Sequence, residues 1–338
     1  MKPVSLVDVA SYLPQNRVAA DYYFADAGSD DALRDSAMFR APRFRHHVAR
    51  DETAADMIER ACAPLAERLG ADALRGVDAV LTNVLLPDMP FTGSGAEVAH
   101  RLAARPEWVL DVHNGGCASF VYMLKLARAI LQGTGAHSAL LCTVQNCAGQ
   151  VFTQSEIRRR VHAAVPGDGC GVAYLEASSA SPIMAVEIRN HGEYAADVGI
   201  AGERRYWEPG TEQLDISFNE AKVAKIVARG NHLVPNVVTD VCRQISVAPH
   251  EIDALITNQP NRMFLRNWRE ALALAPERHL DTFDRFGNLF GAAVPVTLDH
   301  ALTAGTVRDD SLLMLAGFAH AGDLAGAAAI RWRGRGHG

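Results

Sequence analysis

One eight-residue pattern occurs twice in this 338-residue chain, about half a chain length apart. Gly76-Val-Asp-Ala-Val-Leu-Thr-Asn83 returns as Glu251-Ile-Asp-Ala-Leu-Ile-Thr-Asn258, each an Asp followed by a short apolar run ending in Thr-Asn. Downstream, the stretch from Ala129 through Gly133 to Leu141 is matched by the one from Ala301 through Gly305 to Leu313, and both place glycine where a helix C-cap needs it. A repeat of helix, turn and strand in fixed order encodes two copies of one unit. Each half reads strand, capped amphipathic helix, buried strand, helix, buried strand. Strands that are apolar throughout need cover on both faces. The expected fold is therefore α/β, a five-layered α-β-α-β-α pseudo-dimer of two duplicated halves with mostly parallel sheets. The expected boundaries are 1–178 for the first half, 179–230 for a linker and loop insertion where periodicity fades, and 231–338 for the second half. Helices are expected over Ala54–Leu69, Ala96–Ala104, Val121–Leu131 and Asn231–Ile245, and a frayed end from Arg331 to Gly338.

Charge narrows the function. With 33 Lys+Arg against 39 Asp+Glu, the net charge of −6 offers no basic field for nucleic acid or an anionic membrane surface. Apolar runs such as Ser311–Phe318 fall far short of the roughly 20 residues that span a bilayer, and a cytoplasmic protein is expected. The six cysteines, Cys62, Cys117, Cys142, Cys147, Cys170 and Cys242, show no CxxC and no Cys/His cluster, so neither a disulfide framework nor a metal site is expected. Five read as core residues. Cys117 differs, because Gly115-Gly116-Cys117 leads straight into an apolar helix. A helix start favours thiolate and aims free backbone N–H groups at whatever the sulfur attacks, which makes Cys117 the candidate nucleophile.

The segment from Asp111 through Asn114-Gly115-Gly116-Cys117 to Ser119-Phe120 resembles the nucleophile segment of the thiolase superfamily, in its ketoacyl-acyl-carrier-protein synthase III branch. Further resemblances follow in order: Arg45-His46-His47-Val48 with Asp51 to Ala54, Pro166 to Gly171, the strand end Thr257 to Asn261, and Phe286-Gly287-Asn288 with Pro295 to Asp299. The resemblance covers nearly the whole chain and implies the thiolase fold. It implies acylation of Cys117 from an acyl-CoA or acyl-carrier protein, with a His and an Asn from the second half serving the second step. The Asn maps onto Asn288. The His does not map: the strand end reads Asn258-Gln259-Pro260-Asn261, and an amide donates a hydrogen bond to an oxyanion but accepts no proton at neutral pH.

That substitution weakens decarboxylative condensation and favours transfer of the acyl group to an O, N or S acceptor, which needs a base for the acceptor proton. In the C-terminal glycine-rich loop, Gly317 to Gly322, His320 stands where the family has a small residue. It is the candidate base, with Asp323 to orient it; His113 is the next candidate, while His300 is expected to face solvent or a partner. Arg40, Arg43 and Arg45 are candidates for the phosphates of CoA or the acidic face of a carrier protein, by resemblance to the family's arginines. The reading is a homodimeric acyltransferase of polyketide-type metabolism with no tightly bound cofactor. It takes a CoA or phosphopantetheine thioester as substrate and passes the acyl group to a small-molecule acceptor. The alternatives are a decarboxylating synthase that condenses a starter group with malonyl-carrier protein, and an inactive partner subunit that binds carrier protein. Met89 and the run Phe91 to Gly95 are expected at the acyl tunnel or dimer seam.

Overall fold

The computed structural model describes residues 2–24, 39–113, 115–200, 208, 216–218 and 223–334. The strands are β1 (Ser5–Tyr12), β2 (Asn16–Ala19), β3 (Phe44–His47), β4 (Ala79–Val84), β5 (Trp108–Asp111), β6 (Ser138–Gln145), β7 (Gly169–Glu176), β8 (Ile183–Asn190), β9 (Val198–Ile200), β10 (Ile216–Phe218), β11 (Ala254–Thr257), β12 (His279–Leu280), β13 (Ser311–Ala319) and β14 (Leu324–Trp332). Two five-stranded sheets have orders β1-β7-β6-β4-β5 and β8-β14-β13-β11-β12, one a copy of the other. The two echoed sequences fall on β4 and β11, at matching places. β4 runs parallel to β5 and β6, and β11 to β12 and β13. The remaining pairs, β7 with β6 and β1 and β14 with β13 and β8, are antiparallel. The sheets are thus mixed rather than mostly parallel, because β13 turns back into β14 through a tight hairpin instead of crossing over through a helix.

The helices are α1 (Ala54–Leu69), α2 (Ala71–Arg75), α3 (Gly95–Arg101), α4 (Ser119–Gly133), α5 (Val223–Gln244), α6 (Arg262–Ala271), α7 (Phe283–Phe286) and α8 (Ala293–Thr303). α1 spans the expected residues because Thr53 and Asp56 form a reciprocal capping box, at 3.0 and 2.9 Å. α5 starts eight residues before the expected Asn231, its added turns burying Ile226. β8 arises from the stretch expected to be linker and closes the second sheet. At the C-terminus, Arg331 and Trp332 belong to β14 and Trp332 is buried, so the chain is held to that point; residues 335–338 lie outside the described residues.

α1 covers the outer face of the first sheet, α5 and α6 that of the second, and α4 and α8 lie between the sheets. The central layer packs Phe120, Met123, Leu124 and Leu131 of α4 against Leu141 on one side and Leu313, Leu315 and Ile330 on the other. Each such side chain stabilises the fold by about 1.5–3 kcal/mol when fully buried.

Asp168, in the Gly167-Asp168-Gly169 turn before β7, is wholly buried. Its carboxylate accepts N–H bonds from Val48 (2.8 Å), Ala148 (2.7 Å) and Gly149 (2.7 Å), and its own N–H donates to the His46 carbonyl (2.8 Å). Burial pushes this carboxyl up to about 7, against the pull of the three donors. The residue therefore ties β3 and the loop after β6 to β7. Asp168→Ala strands three buried donors, and urea denaturation is expected to show a loss of about 2–5 kcal/mol; a loss below about 1 kcal/mol would contradict this role.

Candidate active site

Cys117 sits in a single 3-10 turn, Gly116–Ala118, that feeds directly into α4. Gly116 has φ +47°, and a Cβ there would lie 2.7 Å from His320 Nε2 and 3.0 Å from the Ala319 Cβ. Only glycine fits both the left-handed backbone and the close approach. The turn is thereby pressed against the end of β13, a strand of the other half. Asn114 lies outside the described residues, and His113 is exposed.

Asn258 follows β11 and is fully buried. Its Oδ1 accepts the Phe318 N–H and its Nδ2 donates to the Phe318 carbonyl, both at 3.3 Å, and the amide acts on the Cys117 thiol to lower its pKa. Asn288 is placed by Gly287, whose φ of +76° brings the chain so near Val165 that a Cβ would meet that carbonyl oxygen at 2.7 Å. The Asn288 N–H then donates to the Val165 carbonyl (3.0 Å), its carbonyl accepts from Gly167 (3.1 Å), and its Oδ1 accepts from Phe290 (3.0 Å). The segment Phe290–Ala292 packs on the Cys117 turn, so Asn288 and Cys117 approach from opposite halves.

His320 and Asp323 are the two ends of the β13–β14 hairpin loop. His320 has φ +48°, an uncommon conformation for a residue with a side chain and a cost of about 1 kcal/mol. The clasp across the loop holds it there: Nδ1 lies 2.9 and 3.0 Å from the two Asp323 carboxylate oxygens. Nδ1 therefore carries the proton in the neutral ring, and Nε2, the free acceptor, is the atom set against Gly116. The structure thus gathers Cys117, Asn258, Asn288 and His320 around one helix start.

The electrostatics differ from the expectation in one respect. Burial pushes the Cys117 thiol up to about 12; the Asn258 bond pulls it down, and the charge of Asp323 adds to the rise. The helix end was expected to favour thiolate, but the desolvation of sulfur between two sheets outweighs it. The resting thiol is protonated at neutral pH.

The three candidate arginines part company. Arg40 and Arg43 are exposed, whereas Arg45 is wholly buried and faces no solvent, so it does not share a phosphate-binding surface with them. The neighbouring imidazoles are also turned inward: His46 bonds the Pro14 carbonyl (2.5 Å) and His47 the Tyr23 hydroxyl (2.9 Å). His300 packs 4.8 Å from the Phe286 ring and remains partly exposed. The other five cysteines are buried core residues. Met89 and Phe91 are 51% and 95% exposed, so neither lines the interior of this chain. Among the described residues no cluster of three or more His, Cys, Asp or Glu could hold a metal, and no helix is long and apolar enough to cross a membrane. Sequence reasoning missed the Asn258–Phe318 exchange, which no motif announces.

A protonated resting thiol has a measurable signature. Alkylation of Cys117 by iodoacetamide, followed by intact mass, is expected to accelerate with pH beyond ~pH 10 without levelling. A plateau near ~pH 8 would mean that the helix end wins after all.

Residues 110–192 match the family described as 3-oxoacyl-[acyl-carrier-protein] synthase III, and residues 242–332 match its C-terminal region, together just over half of the chain. A β-ketoacyl-[acyl-carrier-protein] synthase III from Halalkalibacterium halodurans is 27% identical over 334 residues, 98% of this chain and 99% of the relative. The crystal structure of the synthase III from Pseudomonas aeruginosa superposes with a TM-score of 0.83 at 24% identity, over 98% of each chain. The priming β-ketosynthase of a polyketide pathway superposes with a TM-score of 0.84 at 18% identity, over 98% of this chain and 97% of the other. These likenesses agree with the two copied sheets and the five layers.

Proposed function

We propose a reaction for a chain that belongs to the ketoacyl-acyl-carrier-protein synthase III family of the thiolase superfamily: Cys117 takes an acyl group from a CoA or carrier-protein thioester and passes it to an O, N or S acceptor. The observation that carries this reading is the His320–Asp323 clasp, which turns a free Nε2 toward the Cys117 turn. In the first half-reaction the thiol proton passes to Nε2, sulfur attacks the thioester carbonyl, and the departing pantetheine thiolate takes the proton back. The backbone N–H of Cys117, with a second donor from the Gly317–Gly322 loop, faces the developing oxyanion, and Asn258 steadies the sulfur. In the second, Nε2 takes the acceptor proton while the acceptor heteroatom attacks the acyl-thioester, and Cys117 leaves as thiolate and is reprotonated from His320. Asp323 compensates the imidazolium in both steps. The Asn288 amide nitrogen, which bonds nothing else among the described residues, is available to the substrate carbonyl.

The second reading, a decarboxylating synthase, is favoured by the relatives, whose names state that activity, and they support it better than they support the first. In it Asn258 and Asn288 hold the malonyl carbonyl as charge moves onto the enolate. A place in polyketide assembly is suggested by the likeness to a priming ketosynthase and to a tetronic acid condensing enzyme. Six free cysteines suit a reducing cytoplasm. We also infer a homodimer: among the described residues β5 is an edge strand of the first sheet, Val109 on it is 38% exposed, and Met89 and Phe91 are exposed apolar residues as well.

Separating the half-reactions tests the choice. His320→Ala is expected to leave a Cys117 adduct detectable by mass spectrometry while slowing transfer by about 10²–10⁴-fold. Carbon dioxide release from malonyl thioester by the unmodified protein, coupled to a ketoacyl product at roughly 1–10³ s⁻¹, would establish the second reading instead. Absence of any adduct with every donor would overturn both. Sedimentation is expected to give a dimer that Val109→Lys, placing charge on the edge, converts to monomer.

A further inference from the structure

Among the described residues Arg45 is an ion without a counter-ion. It is 0% exposed, and its only hydrogen bond among them runs from Nη2 to the Pro42 carbonyl at 3.1 Å. Nε and Nη1 are enclosed and have no partner. The guanidinium carbon lies 4.8 Å from the centre of the Tyr23 ring, a favourable but weak contact, and no carboxylate of the described residues acts on it. Burial pulls this guanidinium down to about 10, against a small rise from Tyr23. Keeping a lone cation out of water costs several kcal/mol, which a fold tolerates only where something repays it.

Its place in the fold says what could. The Arg45 Cβ would stand 3.1 Å from a Cβ on Gly167, whose N–H bonds the Asn288 carbonyl, so Arg45 lies one layer behind Asn288. Tyr23, on which it rests, belongs to an apolar cluster with Cys147, Val151, Phe152, Ile157, Ala163 and Ala164, against which Phe290 packs, and the Phe290 N–H bonds the Asn288 side chain. An apolar cluster that meets the site at one end and a bare guanidinium at the other is suited to a chain with an anionic tip.

We propose that Arg45 selects the acyl group: the donor carries a carboxylate at the far end of its acyl chain, and the unpartnered N–H groups of the guanidinium bind that carboxylate. This rests on the acylation of Cys117. For the shortest such donor, malonyl, it also fits the loss of the family's imidazole at Asn258, since a carboxylate on the carbon next to the thioester is kept only where decarboxylation is poor.

The test is a loading competition on the full chain, read by intact mass, with thioesters from malonyl to adipyl paired against uncharged acyl groups of equal length. At least one carboxylated donor is expected to outpace its uncharged pair by about 10- to 100-fold. Arg45→Met should abolish that preference while leaving uncharged loading within about twofold, and Arg45→Lys should keep part of it. Equal or better loading of uncharged groups by the wild type overturns the proposal while leaving Cys117 as nucleophile, and needs no variant to fold. An Arg45→Met protein that folds and retains the preference also overturns it, as does one altered only in its choice of acceptor. No adduct with any donor would instead remove the acylation on which the proposal rests.

Discussion

Helix α4 touches both five-stranded sheets, and the turn that begins it has to fit the gap where those sheets come together. That constraint dictates the local chemistry. The turn can enter only if Gly116 carries no side chain, because the His320 ring and Ala319 occupy the space a Cβ would take. Gly291 is under the same restriction against Ser119 and the Gly116 carbonyl. Once the turn is in place, its thiol is shared between halves: the sulfur comes from the first, while Asn258, Asn288 and His320 come from the second. The first half carries the helix-start cysteine and the second carries the groups around it.

The same enclosure sets two opposing influences on the sulfur. Free N–H groups at a helix start favour negative charge by about 0.3–1 kcal/mol, whereas taking an anion out of water costs several times more. Burial decides the outcome, and the thiol sits at about 12. A neighbouring proton acceptor is then a requirement of the site. In the proposed reaction His320 fills that role, in an unfavourable backbone conformation held by a short hairpin whose ends Asp323 clasps.

Much of this was legible in the residue order. The Asp-to-Thr-Asn echo marked β4 and β11, Gly305 marked the end of α8 from its left-handed place just beyond it, and the Gly-Gly-Cys turn marked the sulfur, because each depends on local pattern; Gly133, expected as the matching C-cap, is instead the last residue of α4, which Thr134 caps. The partnership of His320 with Asp323 was legible for the same reason, three residues apart on one loop. What sequence did not carry depends on packing. Arg45 reads as one of three basic residues on a turn, and only the fold buries it while leaving Arg40 and Arg43 outside. Asp168 reads as a spacer between glycines, and only the fold brings three N–H groups to it. The antiparallel outer strands were missed because strand direction follows from connection geometry, and apolar runs of either direction look alike.

The elevated thiol bears on how long such a catalyst survives between turnovers. Peroxide and other electrophiles react with thiolate far more readily than with thiol, and the first oxidised state, a sulfenic acid, opens the way to irreversible products. With Cys117 as the nucleophile proposed above, a sulfur that burial keeps protonated offers these agents little to attack. The tight junction of the two sheets would then act as a safeguard on the idle protein.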